Sequence, residues 1–230
     1  MRIDEILSKA RGEKRNSLLY TEAKELIENW GILTAPWRIA RNRQEALQAA
    51  LSIGFPVVMK ILSPDVIHKS DIGGVFTGLN REEELIHAYE MIEDNFKKAK
   101  PAIRMEGVVI EKMLSGIEVI IGVATDSQFG PVLMFGMGGI FVELLKDISF
   151  RLIPIDPADA QEMIYGAKGF PLLAGYRGKK GDIEGLKSLL LRVSQLIVKH
   201  PEIIEMDMNP VITSYNRSTV ADVRILTGKG

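Results

Sequence analysis

Apolar residues recur along this chain in two rhythms, one near the 3.6-residue period of a helix and one alternating as in a strand. Ile3, Ile6 and Leu7 fall on one helical face, so a short helix is expected within residues 1–19, followed by a basic linker. Thr21 is placed to cap a second helix, whose Ala23, Leu26, Ile27 and Trp30 share a face and which Gly31 ends. Trp37 to Ala40 reads as a strand. Asn42 with Glu45 predicts a capping-box start for a helix closed by Gly54 and Pro56. Val57 to Ile61 and Val75 to Leu79 form the next strand and its partner. Asn80 with Glu83 predicts a long helix reaching Lys98, and Val108 to Met113 another strand.

The pattern then turns β-rich. Ile117 to Thr125 and Pro131 to Phe135 predict neighbouring antiparallel strands, and Ser149 to Ile155 a further one. Asp156-Pro157 is a helix start, with N-cap followed by N1 proline. Gly169 to Gly181 reads as a basic loop. Asp182 caps a long amphipathic helix marked by Leu186, Leu189, Leu190, Val193, Leu196 and Ile197. Two strands, Ile203 to Met208 and Val220 to Ile225, finish the chain. Interleaved helices and hairpins without an internal repeat argue an α+β fold in two lobes rather than one parallel sheet.

Composition narrows the class without naming a chemistry. At 230 residues, with 46% hydrophobic and 26% charged residues, the chain can bury a sizeable core. A formal net charge of -1 offers no electrostatic case for nucleic acid or an anionic membrane. Cysteine is absent, which removes disulfides, Cys-ligated zinc and thiol catalysis. The first residues lack a signal-peptide pattern, and no apolar run has the length of a membrane span, so a soluble, cytoplasmic protein is expected. The ten methionines read as core filler.

Two stretches carry chemistry. In Val57 to Phe76, Lys60 interrupts an apolar strand, His68 lies in the following loop, and Gly73-Gly74 leads into the next strand. A lysine there either snorkels to water or is neutralised by an anion. Paired glycines form an ordinary turn or let backbone N–H groups approach a phosphate. A neutral histidine between them has a nucleophilic ring nitrogen, and together the three suggest phosphoryl chemistry. The second stretch runs Ile203 to Pro210. Strand alternation puts Glu205, Asp207 and Asn209 on one face and Ile204, Met206 and Met208 on the other. Asp222 is expected alongside, in the next strand of a hairpin. Such an oxygen-only cluster suits Mg2+, the bland reading being a solvated strand face. Glu143 orients a histidine, binds metal or caps the glycine loop at Gly136 to Gly139. Arg151 either binds phosphate or pairs with Asp147. His87 and His200 read as structural.

Taken together, these residues resemble the ATP-grasp superfamily, and within it the β subunits of the ADP-forming acetyl-CoA synthetase family. Ser63 to Val75 is the most specific part. Asp207-Met208-Asn209-Pro210 is similar to the acidic-x-Asn-Pro element of succinyl-CoA synthetase β chains, and Gly136 to Glu143 to the glycine-rich loop of the acyl-CoA synthetases. The resemblance covers about residues 17–228. It implies an ATP-grasp fold with the nucleotide in the cleft between two α/β lobes, residues 20–112 and 113–230, with the 1–19 helix joining the second. It implies Lys60 on the ATP phosphates, Gly73 and Gly74 looping over them, and Glu111, Lys112 and Met113 as the adenine-holding hinge, with Glu118 on the ribose. Asn209 and Asp222 would hold Mg2+ with Asp207 in or next to its coordination sphere, and His68 would be phosphorylated, with Glu143 as its catalytic companion. The activity implied is the reversible conversion of acyl-CoA, ADP and phosphate into acid, CoA and ATP. That requires a CoA-binding α subunit, in an α2β2 heterotetramer. The competing readings are a stand-alone ATP-grasp ligase making an acyl-phosphate and a non-catalytic nucleotide-sensing module.

Overall fold

A computed structural model describes residues 2–63, 66, 69–99, 105–139, 147–178 and 180–228. The chain divides into two units, one of residues 35–114 and one of residues 1–34 with 115–230.

In the 35–114 unit, β1 (Trp37–Ala40), β2 (Val57–Leu62), β3 (Val75–Leu79) and β4 (Gly107–Lys112) form a sheet in the order β1-β4-β2-β3. All its pairs are antiparallel. Helices α3 (Arg43–Ile53) and α4 (Glu82–Ala99) supply the rest of the core. Val57, Met59 and Ile61 of β2 and Val108 and Ile110 of β4 meet Ala46, Ala50, Leu85, Ile92 and Phe96 there. The intervening residues Val58, Lys60, Val109 and Glu111 therefore lie on the opposite sheet face. The cap of α3 is as expected: the Asn42 side chain accepts the Glu45 N–H at 2.9 Å, and Glu45 in turn accepts from the Arg41 N–H. At α4 the reciprocal acid is Glu84 rather than Glu83, accepting the Asn80 N–H at 2.8 Å.

The other unit holds α1 (Ile3–Gly12), α2 (Tyr20–Asn29), β5 (Ile117–Asp126), β6 (Gly130–Met137) and β7 (Ile148–Leu152). It continues with α5 (Pro157–Tyr165), the short α6 (Phe170–Leu173), α7 (Ile183–Lys199), β8 (Ile203–Ser214), β9 (Arg217–Val220) and β10 (Arg224–Thr227). Its sheet runs β10-β8-β5-β6-β7, with β9 paired to the second half of β8. One face, including Val119, Ile121, Val123, Leu133, Phe135, Met206 and Met208, packs on the apolar stripes of α1, α2, α5 and α7.

Three sequence expectations change here. Helix α2 belongs with the 115–230 residues, not with the first lobe, because Ala23, Leu26 and Ile27 are buried in their core. Thr21 lies inside α2 and does not cap it. The helix instead starts after Leu19, whose N–H donates to Glu22 at 2.9 Å. That carboxylate also takes Arg15 and Lys9. The last predicted strand is two strands, β9 and β10, and Asp222 sits in the bend between them. Among the described residues no helix is long and apolar enough to cross a membrane.

Candidate nucleotide and metal site

Lys60 does not snorkel to water. It is 8% exposed, and its ammonium lies 2.9 Å from the carboxylate of Glu111, itself 2% exposed. The ladder explains the meeting: Lys60 is opposite Val109 and Glu111 is opposite Val58, so the two side chains share a face one diagonal step apart. A cation offered to phosphate thus already has an anion beside it. Lys112 plays another part. Its ammonium donates to the carbonyls of Gly54 at 2.7 Å and Phe55 at 3.0 Å, pinning the bend before β2. The N–H groups of Lys112 and Met113 donate to the carbonyls of Pro36 and Pro56.

The glycine pair shapes its loop from within. The Gly73 N–H donates to Ser70 O at 3.0 Å and the Gly74 N–H to Lys69 O at 2.8 Å. Gly74 returns the chain to the sheet by accepting the Ile61 N–H at 2.8 Å. A Cβ on Gly74 would stand 2.6 Å from Ile61 and 2.9 Å from the Lys69 carbonyl, so the close approach requires glycine. Both amides are engaged inside the turn. His68 and Glu143 lie outside the described residues.

In the other unit, Glu118 leads β5 beside the second glycine loop. The Gly138 N–H donates to Glu118 O at 2.8 Å, and a Cβ on Gly138 would collide with Glu118. On β8 the alternation holds through Met206, Asp207 and Met208, with the methionines buried and Asp207 on the other face; Ile204, expected beside the methionines, is exposed, and Ile203 is buried instead. It ends in a bulge: between the pairs Ile121–Met208 and Val119–Val211, Asn209 and Pro210 together face Ile120. A bulge re-aims side chains, and proline, having no N–H, fits a position outside the ladder.

Asp222 comes alongside this bulge from both sides. Val220 pairs with Val211, the Ala221 N–H donates to Pro210 O at 3.0 Å, and Arg224 pairs with Asp207. Loss of solvation, and then the like charge of Asp222 and that of Glu205, raise the Asp207 carboxyl above its ordinary value against the pull of Arg224. Glu205 itself pairs with Arg224 at 3.0 Å.

No three His, Cys, Asp or Glu side chains gather as a metal site among the described residues. The donors expected from the sequence are two carboxylates, Asp207 and Asp222, and the Asn209 amide. That sparse all-oxygen set fits Mg2+, which keeps waters and takes phosphate oxygens as its remaining ligands. The acid repulsion is what a cation there relieves.

Arg151 is not paired with Asp147. It pairs with Asp159 and Glu162 of α5, while Asp147 accepts the N–H groups of Lys168 and Gly169. Two participants escaped sequence reasoning. Arg224 could have been noticed from its position two residues after Asp222 on one presumed strand. Asn95, whose side chain reaches Gly73, gave no signal, being one polar residue on a charged helix.

An ATP-grasp domain family model matches residues 9–226. The acetate–CoA ligase [ADP-forming] I subunit beta of Pyrococcus furiosus is 46% identical over 96% of this chain and 96% of its own length. In Archaeoglobus fulgidus, acetate–CoA ligase [ADP-forming] I is 45% identical over 98% of this chain, which there corresponds to 33% of a longer one. Among solved structures, acetyl-coenzyme A synthetase 1 of Ca. Korarchaeum cryptofilum, in complex with coenzyme A and Ca-AMPCP, superposes with a TM-score of 0.91 at 45% identity, covering 97% of this chain and 99% of that one. The same synthetase was solved with Mg-AMPPCP and a phosphohistidine segment pointing towards the nucleotide binding site, at a TM-score of 0.84 and 43% identity over 98% of this chain and 100% of that one. The chain belongs to the ATP-grasp family, and within it to the β subunits of ADP-forming acetate–CoA ligases.

Proposed function

We propose that this chain is the nucleotide-binding subunit of a cytoplasmic ADP-forming acyl-CoA synthetase, working with a CoA-binding α subunit in an α2β2 assembly. The observation that carries the reading is similarity over 96% of both chains to a β subunit of that enzyme, in a chain that carries Lys60, His68, Asp207, Asn209 and Asp222.

Lys60 neutralises phosphate charge, exchanging part of its contact with Glu111 for the nucleotide. Asp207, Asn209 and Asp222 would hold Mg2+, which when bound would offset charge on the phosphate oxygens. A ring nitrogen of neutral His68 attacks the γ-phosphorus of ATP. The bond to the β,γ-bridging oxygen breaks, and ADP leaves with its electron pair. The N–P bond formed keeps the phosphoryl group reactive, so the same residue returns it to ADP or passes it to the α subunit. Glu118 takes the ribose, and Glu143 orients the histidine. The glycine pair contributes by shaping the turn after His68.

Labelling with γ-phosphate-tagged ATP, Mg2+ and the α subunit tests this. Base-stable, acid-labile label on His68 is expected. His68→Asn should lose both the label and acyl-CoA-dependent ATP synthesis while nucleotide still binds. Label on a free acid, or none on the wild-type chain, overturns the proposal.

A further inference from the structure

Arg224 opens β10 directly opposite Asp207 of β8, and Gly122 of β5 flanks Asp207 on its other side. Residues paired across an antiparallel ladder share a face, so these three form one row. That row lies on the face away from Met206, Val123 and Ile225, which are buried in the core. Glu205 is two residues before Asp207, on the same face, and the Arg224 guanidinium donates to it at 3.0 Å. The reach is a diagonal one, along β8 and away from the bulge at Asn209-Pro210. Both side chains keep access to water, Arg224 being 42% exposed and Glu205 43%. An ion pair so placed is weakly held, because water screens it and two long side chains lose freedom in keeping it. The arginine charge also acts on Asp207, where it opposes the like charges of Asp222 and Glu205.

We propose that Arg224 binds the terminal phosphate of ATP, exchanging Glu205 for it. The inference rests on the nucleotide placement proposed above, with Glu118 at the ribose and the metal at Asp207, Asn209 and Asp222. Along β8 these positions come in order: Glu118 is opposite Ile212, then comes the bulge, then Asp207. Phosphates running from the ribose past the metal therefore end at the row that holds Arg224. A planar guanidinium gives a phosphate two parallel N–H donors, a match that a lysine ammonium lacks. Glu205 then has a definite part. It holds the arginine on the face of the site while no terminal phosphate is present, and it competes with that phosphate for the one guanidinium. ADP ends one phosphate short and leaves the pair intact.

The test is calorimetric titration of the chain, assembled with its α subunit, with Mg2+ and either ADP or an ATP analogue that resists hydrolysis between its β- and γ-phosphates. Arg224→Ala should weaken the analogue by about tenfold or more, the effect of losing a charged hydrogen bond, and leave ADP affinity unchanged. Arg224→Lys should recover part of the loss, since it keeps the charge but not the fork. Glu205→Gln should act in the opposite sense and tighten the analogue. That gain should vanish in the Arg224→Ala background, because the two residues act through one contact. A surface ion pair with no part in binding predicts no change in any variant, and that result overturns the inference. Equal losses for ADP and the analogue in Arg224→Ala overturn it too, as does a Glu205→Gln variant that shows no gain or keeps its gain without the arginine. If Arg224→Ala does not fold, Arg224→Lys and Glu205→Gln decide by the same comparison. A wild-type chain that binds neither nucleotide refutes the nucleotide reading instead, so the two failures are distinguishable.

Discussion

Removing Glu111 while keeping Lys60 tests whether the lysine is as enclosed as its surroundings indicate. In the folded chain the Lys60 side chain is 10% exposed and that of Glu111 3%, with ammonium and carboxylate 2.9 Å apart. Glu111→Leu leaves the ammonium without this partner in a site that excludes most water, a change that costs about 3–5 kcal/mol. Replacing both residues, as Lys60→Met with Glu111→Leu, removes the charge and the need for a partner together, so most of that loss should return. Urea unfolding followed through tryptophan fluorescence is a suitable assay, because Trp37 is opposite Glu111 in the β1–β4 ladder. With a slope of about 1–3 kcal/mol per molar urea, Glu111→Leu should lower the midpoint by at least about 1 M. The double variant should then unfold near the wild-type midpoint yet bind Mg-nucleotide weakly, having no ammonium for phosphate. If Glu111→Leu is as stable as the double variant, Lys60 reaches water and the argument from burial fails. If the double variant binds nucleotide normally, the pair is structural only.

Two further outcomes concern titration. The Asp207 carboxyl is raised in the fold, so its proton-bound form is favoured there and the associated stability is lost as pH rises through the folded value. Asp207→Asn should therefore melt higher than wild type at neutral pH without Mg2+, with the gap closing in acid, and should lose Mg-nucleotide affinity; an unchanged melting temperature counts against the repulsion. Glu22 behaves oppositely: burial alone would raise its carboxyl, but hydrogen bonds from Arg15, the Leu19 N–H and Lys9 outweigh that and lower it. Its contribution is present above the ordinary glutamate range and is lost as pH falls through the lowered value. Glu22→Gln should cost about 1–3 kcal/mol at neutral pH, since Arg15 and Lys9 retain access to water, and the deficit should vanish in acid melts.

Legibility in the sequence followed the reach of the interaction. The stripe of α7 from Leu186 to Ile197, the Asp156 cap, the Asn42–Glu45 cap and the β2–β3 pair were all readable, because each is decided by residues a few positions apart. The assignment of α2 was not. Its apolar face says that it packs, but not on which sheet. Thr21 misled because a hydroxyl near a helix start competes locally, whereas the Glu22 network that fixes the start reaches to Lys9 and Arg15. At the site, alternation was a sound guide on β8 only from Met206 to Met208: Ile204 is exposed where the pattern buries it, and the bulge at Asn209-Pro210 depends on register with β5. Lys60 was visible as an anomaly, and its partner required knowing that β4 lies beside β2.

The two charged features respond to ligand in opposite senses. Lys60 is already neutralised by Glu111, so a phosphate gains from it only the difference between two anionic partners. At Asp207, loss of solvation first, and then the like charges of Asp222 and Glu205, raise the carboxyl against the pull of Arg224. A cation bound there would offset the like-charge part of that shift. Divalent cation alone should stabilise the chain against unfolding, and inorganic phosphate alone should have little effect. Equal protection by phosphate without metal would mean that Lys60 is readily drawn from Glu111, and that this order of contributions is wrong.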